Sequence, residues 1–401
     1  MVLLEKDTHP RFHIGESLLP LNLPLFERLG IKEQVERIGL RKYGAEFVSP
    51  WHGKPVTYDF ADALDKSLPY AYQVRRSEFD HLLLRNAAAR GAKVIEGCRV
   101  KKVDFHGAGA TAAVDAGGAA QTWHARFVVD ASGRETLLAN QFGIKQRNRR
   151  HNSAALFGHF SGARRFEGKA EGNISIYWFD HGWFWLIPLA DGATSVGAVC
   201  WPQYMKSRKV GPDAFLLQTI ALCPAIAERL RDAKLISSVT ATGNYAYQAA
   251  RMTGRGYIML GDAFAFIDPV LSSGVYLAMN SAFAGARAVD ICLRDPANAQ
   301  GALKKFDREI RRGLGMFSWF IYRVTTPAMR DLFMAPRNIL RVQEAVVSLL
   351  AGDVFGRTAV HSRLAFYKAL YYVKSLMIAG KSFAAWKKRR RALRSGEQPG
   401  V

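Results

Sequence analysis

The chain opens with a short apolar run that ends in an acidic residue. Residues 2–4, Val-Leu-Leu, are followed by Glu5, a pattern that predicts a short buried strand. In a dinucleotide-binding βαβ unit such a strand comes second, and its terminal acid contacts a ribose about 20 residues beyond a glycine-rich phosphate turn. The sequence has no such turn before this strand. We therefore expect a strand, a glycine turn and a helix of about 30 residues upstream of Met1, and residues 1–401 alone should be poorly soluble or should purify without the dinucleotide.

Composition indicates a globular protein of the reducing cytoplasm. The 401 residues are 49% hydrophobic and 22% charged, which is ordinary for a folded enzyme. Cys98, Cys200, Cys223 and Cys292 lie far apart without a CxxC pair, so neither a disulfide framework nor a zinc site is expected. No apolar run approaches the ~18 residues of a membrane span, and the start lacks the pattern of a signal peptide.

Charge is the unusual feature of the composition. The formal net charge is +22, which favours an acidic partner: an anionic membrane surface, an acidic protein or a nucleic acid. Nucleic acid ranks last because no nucleic-acid-binding motif accompanies the charge. Part of the surplus lies in the run Lys387–Arg394, which is typical of a solvated basic tail.

Alternating helical and strand patterns indicate an α/β fold. One helical pattern stops at Gly30 and another covers residues 79–91, and a hairpin turns at Gly117-Gly118. The stretch that begins Gly107-Ala-Gly formally satisfies a dinucleotide-binding pattern. A helix should follow those glycines, but a second strand pattern follows instead, so we interpret the stretch as a hairpin loop.

Two further stretches are informative because of their residue types and spacing. Residues 182–188, GWFWLIP, combine aromatic and aliphatic residues, with Trp183 and Trp185 at alternate positions, as is common in a core strand. Residues 254–266, GRGYIMLGDAFAF, predict a strand, a tight turn and a helix start, and the second informative stretch, GDAFAFIDPVLSSG, covers residues 261–274. A Pro followed by Ser-Ser-Gly at a helix N-terminus presents backbone amides that bind anions, although the same residues are common as plain helix caps.

These two stretches, together with HPRFHIGESLLP and QVRRSEFD, resemble the flavin-dependent halogenases, a group of FAD-dependent monooxygenases. The resemblance covers most of the chain. It implies that reduced FAD from a separate flavin reductase, O2 and a halide co-substrate give hypohalous acid. Trp183 and Trp185 match the family's W-x-W-x-I-P signature and would separate flavin from substrate. The backbone amides of Ser273 and Gly274 would hold the halide.

The resemblance also implies a catalytic lysine and a set of FAD-binding residues. A lone lysine is ordinarily exposed, but Lys42 in RKYGAEF is in register with the family lysine that receives hypohalous acid. Burial beside the oxidant path would lower its pKa. Arg76 would contact FAD, or would merely cover the start of the following helix. The residues expected to bind FAD are Glu5, Glu16, Ser17, Arg76, Asp130, Gly133, Gly261, Asp262 and Pro269; no metal is expected.

The expected organisation follows from the resemblance. Residues 1–150 would form an incomplete Rossmann-type FAD-binding part that includes Lys42, and 151–250 an antiparallel-sheet region on the substrate side. Residues 251–300 would return to the FAD-binding part, 301–393 would form a C-terminal helical region, and 394–401 a tail.

One departure from the family pattern bears on the substrate. Leu271 stands where tryptophan-type halogenases carry Glu, so the chain looks closer to members that act on phenols and pyrroles, free or tethered to a small acidic carrier protein. Two alternatives stay open. The chain could be an FAD-dependent hydroxylase, dehydrogenase or reductase that uses no halide, or a non-catalytic flavoprotein remnant.

Overall fold

The chain folds into an α/β structure whose strands precede a C-terminal set of helices. The computed structural model describes residues 1–107, 109–148, 151–243, 246–356 and 358–394. In chain order its strands are β1 (Val2–Leu4), β2 (Gly39–Lys42), β3 (Gly44–Val48), β4 (Val56–Asp59), β5 (Ala71–Val74), β6 (Lys93–Ile95), β7 (Cys98–His106), β8 (Gly109–Ala116), β9 (Ala119–Ala125), β10 (Val128–Asp130), β11 (Lys145–Arg147), β12 (Ala154–Ser161), β13 (Ile174–Phe179), β14 (Gly182–Pro188), β15 (Thr194–Cys200), β16 (Lys234–Leu235), β17 (Thr240–Gly243), β18 (Tyr247–Ala249), β19 (Thr253–Gly254), β20 (Tyr257–Met259) and β21 (Ala265–Phe266). Its α-helices are α1 (Leu23–Leu29), α2 (Lys32–Ile38), α3 (Arg76–Ala89), α4 (Leu137–Gln141), α5 (Pro202–Lys206), α6 (Pro212–Ala221), α7 (Pro224–Arg229), α8 (Gly274–Arg294), α9 (Ala299–Ile321), α10 (Pro327–Met334), α11 (Val342–Ala351), α12 (Val360–Met377) and α13 (Ala379–Arg394).

Parallel strand pairs form the Rossmann-type part. β1 pairs in parallel with β6, and β10 pairs in parallel with β20. Glu5 follows β1 directly, and its amide donates to the carbonyl of Ile95. The opening strand predicted from the apolar run is therefore present, and an acid stands at its end. The expected burial is wrong, because Val2 is exposed and Leu3 and Leu4 are only half-buried.

An eight-stranded sheet is the largest element of the fold. Its strands run in the order β16-β12-β15-β14-β13-β3-β4, and β17 also pairs with β12. Most of its pairs are antiparallel, but β3 and β13 are parallel, with Ala45 opposite Ile174. This pairing joins a segment near residue 45 to the sheet-rich region beyond residue 150.

Both faces of this sheet are covered, and β14 shows why its residues alternate. All seven residues of β14 are buried. Trp183, Trp185 and Ile187 face the main core, whereas Phe184 and Leu186 face a second core built against α6. A strand directs successive side chains to opposite faces, so both faces of this strand need apolar residues.

The two predicted hairpin turns are confirmed, whereas the helix predicted directly after Gly261 is wrong. β8 and β9 form the hairpin that turns at Gly117-Gly118, and β7 and β8 flank Gly107; residue 108 lies outside the described part. After one 3-10 turn, Gly261–Ala263, the chain does not continue as an α-helix. It forms β21, which pairs with β18, and the helix starts only at Gly274.

The C-terminal part is helical, as expected. The basic run predicted as a solvated tail belongs to α13 as far as Arg394, and the rest of the predicted tail, 395–401, lies outside the described residues. None of the helices in the described ranges is long and apolar enough to cross a membrane.

Close packing in the large sheet leads to a stability prediction for Gly197, which lies opposite Trp185 in the β14–β15 pair. A Cβ at position 197 would lie 2.2 Å from Cζ2 of the Trp185 ring. Since overpacking a core typically destabilises by about 1–3 kcal/mol, Gly197→Ala should lower the free energy of unfolding by that amount in guanidinium titrations.

The matched control is Gly301→Ala, in α9, where no atom lies within 4 Å of the added carbon. Removing glycine from a helix usually stabilises by about 0.5–1 kcal/mol. Equal stability changes in the two variants would contradict the tight contact between Gly197 and Trp185.

Candidate active site

Lys42 is buried at the junction of two sheets. It is the last residue of β2, which pairs antiparallel with β5, and β3 begins two residues later. Its Nζ donates to the Ser17 hydroxyl at 2.9 Å and to the Leu18 carbonyl at 3.1 Å, and it lies 5.2 Å from the centre of the Phe60 ring. Only 2% of the side chain is exposed. The exposed position expected from residue type alone is therefore wrong.

Burial changes the acid–base behaviour of this lysine. Desolvation lowers the pKa of Lys42 to about 7, because taking an ammonium out of water disfavours its charged form. Its polar contacts given above are neutral oxygens, with no carboxylate among them. A large fraction of this amine is thus uncharged near neutral pH and carries a free lone pair.

Trp183 and Trp185 form an aromatic wall on one face of β14. Their ring centroids are 6.0 Å apart, and Trp185 lies 5.9 Å from Phe157 of β12, which is separated from β14 by β15. The indole Nε1 of Trp185 donates to the Ser195 hydroxyl at 3.1 Å. Since both rings are buried and one is anchored by a hydrogen bond, the wall is rigid.

Glu16 and Ser17, both expected to bind FAD, point to different partners. Their segment runs beside β5, where Val74 N–H donates to the Glu16 carbonyl. Ser17 contacts Lys42, whereas Glu16 Oε1 lies 2.7 Å from Nε2 of His159 on β12. The other Glu16 oxygen, Oε2, is buried and has no hydrogen-bond partner among the described residues. It is an acceptor that a ligand hydroxyl or N–H would satisfy.

The turn before α8 is built to leave backbone amides open. Residues Pro269–Leu271 form a short helical turn, and the Asp268 carboxylate accepts from the Val270 amide at 3.3 Å. Ser272 then adopts φ 55°, and α8 begins at Gly274 with Ser273 as its buried N-cap. The first four amides of a helix have no partner within it, and a helix N-terminus favours an anion.

Gly261 and Asp262 form a second turn, packed against α8. The Gly261 amide donates to the Ser281 hydroxyl at 2.8 Å, and a Cβ at position 261 would lie 2.9 Å from Cβ of Ala278. Desolvation raises the pKa of Asp262 to about 6, although the charges of Arg76 and Arg134 act in the opposite direction.

The remaining predicted FAD-binding residues make contacts within the protein. Arg76 begins α3, forms a two-point pair with Asp80 at 2.7 and 3.0 Å, and donates to the Ile14 carbonyl at 3.0 Å. The Asp130 carboxylate accepts from two amides, those of Ser132 and Leu138, both at 2.9 Å. These contacts order the loops around the turns.

Gly133 and Glu5 complete that set. Gly133 has φ 60°, a conformation that favours glycine, and it follows β10 directly after Asp130-Ala-Ser. Glu5 Oε1 accepts from the Asp7 amide at 2.9 Å, and its other oxygen lies 3.6 Å from Nε2 of His9. The carboxylate is thus at the end of β1, close to the loop that it helps to order.

Two polar contacts were not found by sequence reasoning. One is the Glu16–His159 pair, which joins residues 143 positions apart. The other links Asp268 to the C-terminal helix: its Oδ2 lies 3.5 Å from Nε2 of His151, whose Nδ1 lies 2.5 Å from Nη2 of Arg389. No spacing in the sequence signals either contact, because each depends on the tertiary fold.

Comparison with known proteins identifies the family. The family model described as Tryptophan halogenase matches residues 59–331. The chain belongs to the tryptophan halogenase family. The matched range contains the tryptophan wall and the turn before α8, while Lys42 lies upstream of it.

Two relatives of the halogenase family show how much of the chain is shared. A tryptophan 2-halogenase from Chondromyces crocatus is 34% identical over 77% of this chain and 60% of that protein. A 1H-pyrrole-2-carbonyl-[peptidyl-carrier protein] chlorinase from Pseudomonas fluorescens is 26% identical over 88% of this chain and 84% of that protein. The match thus spans less than two thirds of the first relative.

Solved structures agree with the family and with the fold. The myxobacterial chondrochloren halogenase CndH, described as a new variant of FAD-dependent halogenases, has a TM-score of 0.77 at 32% identity and covers 94% of this chain and 91% of its own. A flavoprotein/dehydrogenase from Cytophaga hutchinsonii has a TM-score of 0.84 at 27% identity, covering 94% and 92%. The expected family and α/β fold class are therefore confirmed.

The lowered pKa of Lys42 leads to a prediction about stability. The unfolded chain keeps the proton up to the ordinary value of 10.5, whereas the folded chain releases it at about 7. Between these values the unfolded state binds more protons, so the stability of the protein rises with pH. Lys42→Met removes this dependence. The free energy of unfolding of the Lys42→Met variant, minus that of the unsubstituted protein, should therefore fall by up to roughly 4 kcal/mol from pH 7 to pH 10.5.

Guanidinium denaturation at several pH values measures this difference. The control is Lys54→Met at an exposed lysine, for which the difference from the unsubstituted protein should not vary between neutral and alkaline pH. If the free energies of unfolding of the Lys42 variant and the unsubstituted protein change in parallel with pH, Lys42 stays charged in the folded state.

Proposed function

We propose that this protein is an FAD-dependent halogenase that places halogen on an electron-rich aromatic ring. Reduced FAD from a separate flavin reductase, O2 and halide would be its co-substrates. The observation that carries the proposal is Lys42: a fully buried lysine, held by neutral oxygens, with a pKa lowered to about 7. A buried, partly neutral amine is poised for chemistry rather than for a surface ion pair.

The residues present fit a flavin dinucleotide. The orphan Oε2 of Glu16 offers a buried acceptor, and the Asp262 turn lies against α8. A cavity of about 260 Å³ nearby is lined by Arg134, Glu135, Lys145, Arg147, Gly243 and Tyr247, and its basic side chains suit phosphate. We propose the predicted set from Glu5 to Pro269 as the residues that hold FAD. When bound in its reduced form, FAD supplies the electrons with which O2 and halide give hypohalous acid.

Different residues of the chain would bind the halide, separate the substrate from the flavin and transfer the halogen. The amides of Ser273 and Gly274, at the N-terminus of a 21-residue helix, would hold the halide. The rigid wall of Trp183 and Trp185 would keep the aromatic substrate away from the flavin. Hypohalous acid would reach Lys42, whose neutral amine can hydrogen-bond it or accept its halogen with release of water. Transfer of that halogen to the ring returns the ring proton to the amine, and positioning supplies much of the acceleration.

The proposed substrate class is phenolic or pyrrolic, free or tethered to a carrier protein. Support comes from Leu271, which is buried where tryptophan-type members carry Glu, and from the relative described as acting on a pyrrole bound to a peptidyl-carrier protein. The net charge of +22 suits a small acidic carrier.

The proposed location is the cytoplasm. The four cysteines form no disulfide with one another, as is usual for proteins of a reducing compartment.

Lys42→Ala should abolish halogenation of the aromatic substrate while leaving flavin binding intact. The test supplies the protein with a flavin reductase, NADH, O2 and bromide, and offers a panel of phenols and pyrroles, free and as carrier-protein thioesters. Product halogen is measured by mass spectrometry. We expect a loss of at least about 100-fold, since a positioned acid–base group typically contributes that much.

A thioether added to the same reaction traps free hypohalous acid as the sulfoxide, and its formation should persist in Lys42→Ala. Lys54→Ala, at an exposed lysine, is the matched control and should retain full activity. Near-normal aromatic halogenation by the Lys42 variant would remove this residue from the mechanism.

A second candidate is an FAD-dependent oxidoreductase that uses no halide, which the likeness to the Cytophaga hutchinsonii flavoprotein/dehydrogenase favours. The same assay separates the two functions. A product that gains oxygen or loses two hydrogens, without dependence on bromide, would replace the halogenase proposal. A purified protein without flavin absorption would instead favour a non-catalytic role.

A further inference from the structure

The end of α12 and the start of α13 form an exposed apolar corner. Six large apolar side chains are each more than half exposed, and two of them, Leu376 and Met377, are each 76% exposed. The members of this apolar corner are Tyr372, Val373, Leu376, Met377, Phe383 and Trp386. Single exposed apolar residues are ordinary, but a contiguous group of them usually marks an interaction site.

The inner side of α12 already packs against the protein, so the corner is a second apolar face. Val360, Leu364 and Tyr367 point into the main core. Val373, Leu376 and Met377 follow at helical spacing on the outer side and are each more than half exposed. Tyr372, beside them, is also half-exposed but contacts Arg323 and Trp319. A helix that is apolar on both sides needs a second partner for its outer side.

Basic residues surround the apolar corner, and acidic residues are absent from its two helices. The sequences of α12 and α13 contain no Asp or Glu. Their basic residues are Arg363, Lys368, Lys374, Lys381, Lys387, Lys388, Arg389, Arg390, Arg391 and Arg394. Lys387 and Arg390 share the outer face of α13 with Phe383 and Trp386, at spacings of three, four and seven residues, and the Arg390 guanidinium lies 5.1 Å from the centre of the Trp386 ring.

The corner is held rigidly on the body of the protein. On the inner side of α13, Arg389 donates from Nη1 to the Tyr322 carbonyl at 3.1 Å and from Nη2 to His151 at 2.5 Å. The Ser382 amide donates to the Ile378 carbonyl at 2.9 Å across the turn between the helices. The outer residues are therefore presented by a fixed element.

We propose that this apolar corner docks on an anionic lipid surface. Leu376, Met377, Phe383 and Trp386 would enter the boundary between headgroups and acyl chains, while Lys381, Lys387 and Arg390 would contact the anionic headgroups. Large apolar and tryptophan side chains beside lysine and arginine are the composition of helices that lie in the membrane interface. The basic residues add a long-range attraction to anionic lipids.

The same features argue against two other occupants. Protein interfaces are depleted in lysine, yet Lys381 and Lys387 are exposed next to the apolar residues. A second copy of this chain would bring two surfaces of the same charge together, which opposes association. Binding of an acidic carrier protein, or of a second copy, is therefore an alternative result that the experiment below distinguishes from lipid binding.

Vesicle co-sedimentation tests the proposal on the purified protein, without reference to catalysis. The probes are phosphatidylglycerol–phosphatidylcholine vesicles and pure phosphatidylcholine vesicles. We expect binding to the anionic vesicles that weakens with added salt, and little binding to the neutral ones. Lys381→Gln/Lys387→Gln/Arg390→Gln should weaken binding by roughly 100-fold, since each basic residue near the surface contributes about fivefold.

The decisive variant keeps every charge and removes apolar surface: Leu376→Ala/Phe383→Ala/Trp386→Ala should also weaken vesicle binding at least about tenfold. Its matched control is Leu217→Ala/Leu222→Ala, at two exposed apolar residues of the α6 region, which should leave binding unchanged. Circular dichroism and thermal unfolding establish that all variants are folded.

Three results would overturn the proposal. Undiminished binding by the apolar triple variant would reduce the contact to charge alone. Absence of vesicle binding, with capture of an acidic carrier protein that the apolar variant loses, would assign the corner to a protein. Concentration-dependent dimerisation abolished by the apolar variant would assign it to a second copy.

Discussion

The parallel pairing of β3 with β13 is the constraint on which the candidate site depends. It fixes residues near 45 beside residues near 175, and Asn173 reinforces it by accepting from the amides of Tyr43 and Gly44 at 3.0 and 2.7 Å. Lys42 directly precedes this clamp. The strand that carries the tryptophan wall, β14, pairs with β13 on its other side. One register thus sets the lysine and the wall in the same rigid frame, although about 140 residues separate them in the sequence.

Burying a lysine in that frame has an energetic consequence. Its ammonium form loses hydration and gains two neutral oxygens, those of Ser17 and Leu18, and the Phe60 ring, so the neutral form is favoured. A site that needed only a positive charge would gain from a nearby carboxylate, which would keep the lysine protonated. Glu16 precedes Ser17 in the sequence, and its buried carboxylate contacts His159 instead of the lysine. The acid next to Ser17 in the sequence is therefore engaged by a histidine and does not pair with the lysine.

The sequence predicted the elements whose signals are local. The aromatic and aliphatic residues of GWFWLIP indicated a core strand, and Ser-Ser-Gly indicated the start of α8, because strand patterns and helix caps are read within a few residues. The burial of Lys42 could not be derived from its residue type and followed only from the motif around it. The helix expected after Gly261 was wrong because Ala265 and Phe266 find a partner in β18. That pairing is tertiary, and a local pattern cannot show it.

The same distinction explains the basic C-terminal run. Its composition predicts a solvated tail, because no local pattern distinguishes a buried arginine from the exposed basic residues around it. In the fold, Arg389 faces inward and meets His151, whose other ring nitrogen lies 3.5 Å from Asp268. An arginine can donate to Nδ1 only if that nitrogen is unprotonated, so the imidazole proton is on Nε2, on the side of Asp268. Asp268 in turn caps the turn that leads to Ser273 and Gly274. Closely spaced polar groups therefore run from α13 to the turn with open amides, so the C-terminal helix packs beside the candidate site.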